Sequence, residues 1–171
     1  RFRTRSSELC RIAPGEQKSY CVVISNEAPG VQVRNPVSIH KFEDSLEVKQ
    51  GEMTYTVQRK GFNWTDKVFF KGNDYLIPGS SGPVLRMKNG EDYCPQGEVD
   101  IQIDKQGPWI ASLLAAGNYP NGYVFETELK FVTTKSWFSA QHRIISGDLG
   151  AIEAIQFESR FDLNAGPLAS A

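Results

Sequence analysis

The side chains best able to do chemistry are few in this chain. There are two histidines, His40 and His142, and three cysteines, Cys10, Cys21 and Cys94. A histidine serves as general base only beside a group whose proton it takes, and as a metal ligand only among other ligands. Neither histidine has a second histidine or a cysteine within four positions in sequence, so each is expected to be structural. No Cys-x-x-Cys pair occurs, and zinc usually needs about four clustered nitrogen or sulfur ligands. No metal and no other cofactor is therefore expected. Cys10 and Cys21 flank Ala13-Pro14-Gly15, a strong turn signal. Two strands leaving that turn would bring the sulfurs within bridging distance, so a Cys10–Cys21 disulfide is expected, with Cys94 as the odd thiol, buried or intermolecular. Three reduced, buried thiols are the alternative that the odd count also permits.

Carboxylates offer a second chemistry. Glu126 and Glu128 share one strand face, and Asp100 and Asp104 share another. Two carboxyl groups across a cleft are what a glycoside hydrolase needs. The same spacing is also what any solvated strand face displays, and a catalytic acid needs an apolar surround to raise its pKa. The run Gly79-Ser80-Ser81-Gly82-Pro83-Val84, with His40 upstream, has the residue types of a serine nucleophile and its base. It is one residue short of the chymotrypsin-like pattern between Gly82 and Pro83, and His40 stands too close in sequence to Ser81 for a two-barrel protease. The plain reading is a Gly/Ser loop. Neither a dinucleotide fingerprint nor a P-loop occurs.

Aromatic rings are the remaining candidates. Trp137 and Phe138 sit in a polar stretch, and Tyr119 and Tyr123 bracket Pro120-Asn121-Gly122. With Trp64, the rings of Trp137, Tyr119 and Tyr123 form the expected ligand-binding set, suited to stacking on sugars or anchoring a protein partner. Arg1, Arg3 and Arg5 make a short basic cluster, with residues 1–8 a candidate flexible arm. Any nucleic-acid contact is expected to run through it.

The elements that must position these residues read as β almost throughout. Residues 123–132 alternate Tyr123, Phe125, Thr127, Leu129 and Phe131 on one face with Glu126, Glu128 and Lys130 on the other. That is period two with a charged outer face. Residues 98–104 repeat the scheme, with Val99, Ile101 and Ile103 inward. Ile155, Phe157, Phe161 and Leu163 alternate with polar residues and are also expected to face inward. Shorter candidates lie at 20–25, 37–42, 46–49, 53–59, 67–71 and 84–88. Asn89-Gly90, Asn121-Gly122 and Gly72-Asn73 are hairpin signals. Residues 108–117 open with Pro and close with Gly, which leans towards one short helix. No long amphipathic helix occurs, so βαβ folds are excluded.

Composition sets the frame. The 171 residues suit one domain spanning 1–171, and 40% hydrophobic with 23% charged residues is globular composition. Lys and Arg total 19 against 20 Asp and Glu, a net charge of −1. Binding nucleic acid by overall basicity is thereby disfavoured. No apolar run approaches about 18 residues, so no membrane-spanning helix is expected. The expected fold is a single all-β antiparallel sandwich of jelly-roll type with at most one short helix. The leading function is a non-catalytic assembly subunit of capsid, filament or surface-layer type, forming a homo-oligomer or polymer through exposed strand edges. The alternative is a monomeric recognition module for a glycan or protein. A small glycoside hydrolase is third. An extracellular, virion or cell-surface location is the favoured compartment.

Overall fold

A computed structural model of the chain describes residues 33–77 and 81–162. The described chain is nearly all strand: β1 Ser38–Lys41, β2 Ser45–Gln50, β3 Met53–Gln58, β4 Lys67–Phe70, β5 Asn73–Asp74, β6 Ser81–Met87, β7 Asp92–Tyr93, β8 Gln96–Gln106, β9 Ile110–Asn118, β10 Val124–Val132, β11 Phe138–Ser146 and β12 Ile152–Glu158. Single 3-10 turns at Pro120–Gly122 and Leu149–Ala151 are the helical content among the described residues.

All named strand pairs are antiparallel and fall into three sheets. Sheet one has the order β1-β2-β3-β4-β5, sheet two β11-β10-β9-β8, and sheet three β12-β6-β7. Sheets one and two are meanders, because connections of two to eight residues hand each strand directly to its neighbour. At the β9–β10 turn, Asn121 (φ 59°) and Gly122 (φ 79°) adopt the left-handed conformation that Asn and Gly tolerate best. Jelly-roll crossings, expected from the sequence, are not found among the described strand pairs. The long-range return is β12, which crosses back to pair with β6.

Sheets one and two face each other as a sandwich. From sheet one come Leu46, Val48, Tyr55 and Val57. From sheet two come Val99, Ile101, Leu113, Leu129 and Phe131, all buried. Rings interlock across the layers. Phe62 stacks on Phe125 at 5.7 Å, and Tyr55 meets Phe131 at 5.5 Å and Phe138 edge-on at 5.2 Å. Offset and edge-on rings contribute about 0.5–1.5 kcal/mol per pair beyond simple burial.

β10 follows its sequence pattern: Phe125, Thr127, Leu129 and Phe131 are all fully buried. β9 departs from the helical reading. Ala111, Leu113, Ala115 and Gly117 point inward as a central strand, hydrogen-bonded to β8 and β10 on its two sides. Gly117 is required there, since a Cβ would sit 2.7 Å from the Phe125 ring. β12 departs too. Ile155 (38%) and Phe157 (45%), and Phe161 (51%) just beyond it, remain exposed, because that part of sheet three is only partly covered among the described residues, by the Trp64 ring on Phe157.

Candidate functional site

An open strand edge exposes a row of unpaired N–H and C=O groups, which proteins usually blunt with charge, bulges, Pro or brevity. Among the described residues, five of the six sheet edges are blunted. β5 is two residues long. β12 carries Glu153 and Glu158, and its register shifts twice against β6. β1 is four residues long and carries exposed His40 and Lys41. β7 is two residues long. β8 carries exposed Glu98, Asp100, Asp104 and Lys105, and its register shifts twice against β9. Part of its outer edge is taken: the Val99 N–H donates to the Arg59 carbonyl at 2.8 Å, and Lys60 bridges Glu98.

β11 is different. It is a nine-residue edge strand of sheet two, Phe-Ser-Ala-Gln-His-Arg-Ile-Ile-Ser, with neither Lys nor Pro. Its one charge, Arg143, is paired with Glu126 of β10 at 3.2 Å. Among the described residues no strand pairs with its outer side. The pairing with β10 is regular from Phe138 to Ile144. Ile145 is then the extra residue of a bulge, between Ile144 opposite Phe125 and Ser146 opposite Val124. A bulge re-aims its side chain and ends regular pairing. Ile145 is 53% exposed.

The other end of β11 is fixed by buried polar groups. Gln50, fully buried at the end of β2, places its amide nitrogen 2.6 Å from the Val132 carbonyl, 2.8 Å from that of Lys135 and 3.2 Å from that of Trp137. The Tyr55 hydroxyl donates to the Ser136 carbonyl at 2.8 Å, and burial pushes its pKa up to about 12. The Thr133 hydroxyl donates to the Asn35 carbonyl, and the Thr133 N–H to that of Trp109 at 3.0 Å. Held at this many points, the β10–β11 loop displays Trp137 at 58% exposure, with the Lys135 ammonium 5.5 Å from its ring centre.

The outer face of sheet two carries the carboxylates. Asp100, Ala116, Glu126 and Arg143 lie side by side in one row across the four strands. The small Ala116 leaves a shallow depression of about 190 Å³, lined also by Gln102 and Leu114. Asp100 and Glu126 stand two strands apart, about 10 Å between backbones. Glu126 is engaged by Arg143, Asp100 accepts from Gln102 at 2.7 Å, and Asp104 from Ser112 at 2.8 Å. Glu126 and Glu128 lie outward on β10 as expected, and nothing here encloses either in an apolar pocket.

The expected aromatic set divides. Trp137 is on the surface. Tyr119 and Tyr123 are core residues, 2% and 5% exposed, and neither presents a ring to solvent. Their hydroxyls donate inward, Tyr119 to the Pro83 carbonyl at 2.8 Å and Tyr123 to that of Asp148 at 2.9 Å. A turn that looked like a display loop is folded over the end of the sandwich. Trp64 is half-buried and packs its ring on Phe157 at 4.0 Å. Trp109, 51% exposed, was not anticipated; it lies at the same end of the sandwich as Trp137, beside Thr133.

His142 belongs to the inner layer. Its Nε2 is 3.1 Å from the Tyr119 hydroxyl and its Nδ1 2.7 Å from Thr127 Oγ1. Tyr119 gives its proton to Pro83, so Nε2–H donates to Tyr119 and Nδ1 accepts from Thr127, which is the neutral ring. Burial pushes the His142 pKa down to about 4. His40 is exposed on β1. Cys94 is an exposed free thiol, not the buried one that the sequence also allowed. Cys10, Cys21, Arg1, Arg3 and Arg5 lie outside the described residues, so the bridge and the basic arm are not in view. Among the described residues no group of three or more His, Cys, Asp or Glu is placed to hold a metal ion, and no helix is long and apolar enough to cross a membrane.

No known protein-family model matches the chain, and no curated protein matches it significantly.

Proposed function

We propose that this β-sandwich is a non-catalytic assembly subunit that self-associates through the outer edge of β11. One observation carries the reading: of the edges described, β11 alone is long, nearly uncharged and free of blunting devices over most of its length. A strand added there satisfies its unpaired backbone groups and extends sheet two, the mode by which extended segments dock on sheet edges. A net charge of −1 adds little repulsion between copies. The test is light-scattering mass after size exclusion across a wide range of concentration, pH and salt. Masses above the 19.1 kDa of one chain, rising with concentration, support the reading. A monomer under every condition overturns it.

A second reading, recognition of a glycan or protein partner, is favoured by the braced display of Trp137. Fixing a ring before binding lowers the ordering cost of recognition. It predicts that Trp137→Ala weakens binding of such a partner while leaving the melting temperature within about 2 °C, as surface substitutions do.

A further inference from the structure

We infer that the occupant of the β11 edge is β11 of a second copy, paired antiparallel about a two-fold axis at Gln141. The inference rests on the assembly reading above and adds its geometry. In an antiparallel pair, residues directly opposite share a face, so the two-fold axis must fall on a residue for the sheet faces to match. The regular stretch of β11 is residues 138–144, and Gln141 is its centre.

With the axis at Gln141, the pairs match in character. Gln141 faces Gln141 of the second copy, amide to amide. Arg143 lies opposite Ser139, a charge beside a hydroxyl. Ala140 lies opposite His142 on the inner face. Phe138 lies opposite Ile144, two half-buried apolar residues that already line the core. One step beyond the regular stretch, the loop residue Trp137 of one copy approaches the bulge residue Ile145 of the other, so two strongly exposed apolar side chains, at 58% and 53%, meet twice per dimer. The two axes towards the bulge fit worse. An axis at Arg143 sets two guanidinium groups against each other. An axis at His142 sets Phe138 against Ser146 across the bulge and leaves Trp137 without a facing residue on the strand. The two four-stranded sheets would join into one of eight strands, within the range of open sheets. The contact is isologous, so it closes as a dimer and does not propagate a filament.

The axis residue is the one position directly opposite itself. Opposed residues in antiparallel strands lie about 4.5–5.5 Å apart at Cα, inside the range a disulfide spans. In the full chain with its native cysteines, Gln141→Cys under mild oxidation is expected to give a covalent dimer. On digestion it should release a disulfide-linked pair of the tryptic peptide 136–143. Arg143→Cys, which faces Ser139, is expected not to link to itself. Gln141→Lys places two ammonium groups face to face and is expected to raise the dimer dissociation constant about tenfold or more, with an unchanged melting temperature in samples dilute enough to be monomeric, because Gln141 is exposed in the single chain. A dimer or larger assembly that lacks the 141–141 link and ignores Gln141→Lys overturns the two-fold pairing while self-association stands. A monomer at every concentration overturns both, and leaves the edge to a segment of the chain or to another protein.

Discussion

Lowering the pH should unfold this sandwich in part through one ring, His142. The imidazole is held neutral between Thr127 and Tyr119, with Phe125 at 5.1 Å and Phe157 at 6.2 Å around it. Burial brings its pKa from 6.5 down to about 4. Between those values the unfolded chain takes up a proton that the folded chain refuses. Stability is therefore fully present above about pH 6.5 and is lost as the pH falls towards about 4. A shift of that size is worth about 3 kcal/mol at 1.36 kcal/mol per pKa unit; the ring is only partly shielded from water, so about 1–2 kcal/mol is expected by about pH 4.5. Carboxylates titrate over the same range, so the measurement is a difference between two proteins. Urea unfolding of the wild type and of His142→Gln would be compared at about pH 7.5 and about pH 4.5. The wild type should lose about 1–2 kcal/mol more than the variant over that interval. Equal losses would show that the ring is not held neutral and that the hydrogen-bond assignment around it is wrong.

Two further outcomes follow from the packing. Gly147→Ala should destabilise the fold by about 2–4 kcal/mol in urea unfolding, because Gly147 has φ 122° and a Cβ would lie 2.2 Å from the Tyr123 ring; a loss under about 0.5 kcal/mol would mean the turn is displaced easily. Gln50→Leu should cost about 2–3 kcal/mol by removing the buried donor shared by the carbonyls of Val132, Lys135 and Trp137, of which Val132 keeps the Lys135 N–H. It should also speed hydrogen exchange across residues 133–137, and unchanged exchange there would refute the bracing role.

How much of this was legible in the sequence depends on what periodicity reports. β10 was legible because large apolar residues and charges alternate without interruption, so one face had to be core. β9 was not, because Leu114 and Ala116 on its outer face are as apolar as Leu113 and Ala115 on its inner face, and a short run apolar on both sides suits helix or central strand alike. β12 shows a further limit: alternation told which residues share a face, and not whether anything covers that face. Tyr119 and Tyr123 looked like display residues because they flank Asn121-Gly122. Their burial depends on Pro83 and Asp148, distant carbonyls that no local pattern can supply. Gln50 carried no signal, since a glutamine at a strand end is ordinarily solvated.

The open edge was the least legible feature, because strand order is a property of the folded chain. Its limits come from both layers of the sandwich. At one end, Gln50 and Tyr55 reach across from sheet one and hold the loop before Phe138 by its carbonyls. At the other, the bulge at Ile145 stops regular pairing. Between these stops the edge has a defined length and therefore a centre. A strand with a centre can select one register, whereas an edge without stops permits slippage and indiscriminate pairing. Among the described residues the buried amide of Gln50 leaves its own oxygen without a hydrogen-bond partner, a cost offset by the bonds its nitrogen makes to the loop. The same amide holds the loop, and the tryptophan on that loop, in a fixed place beside the edge.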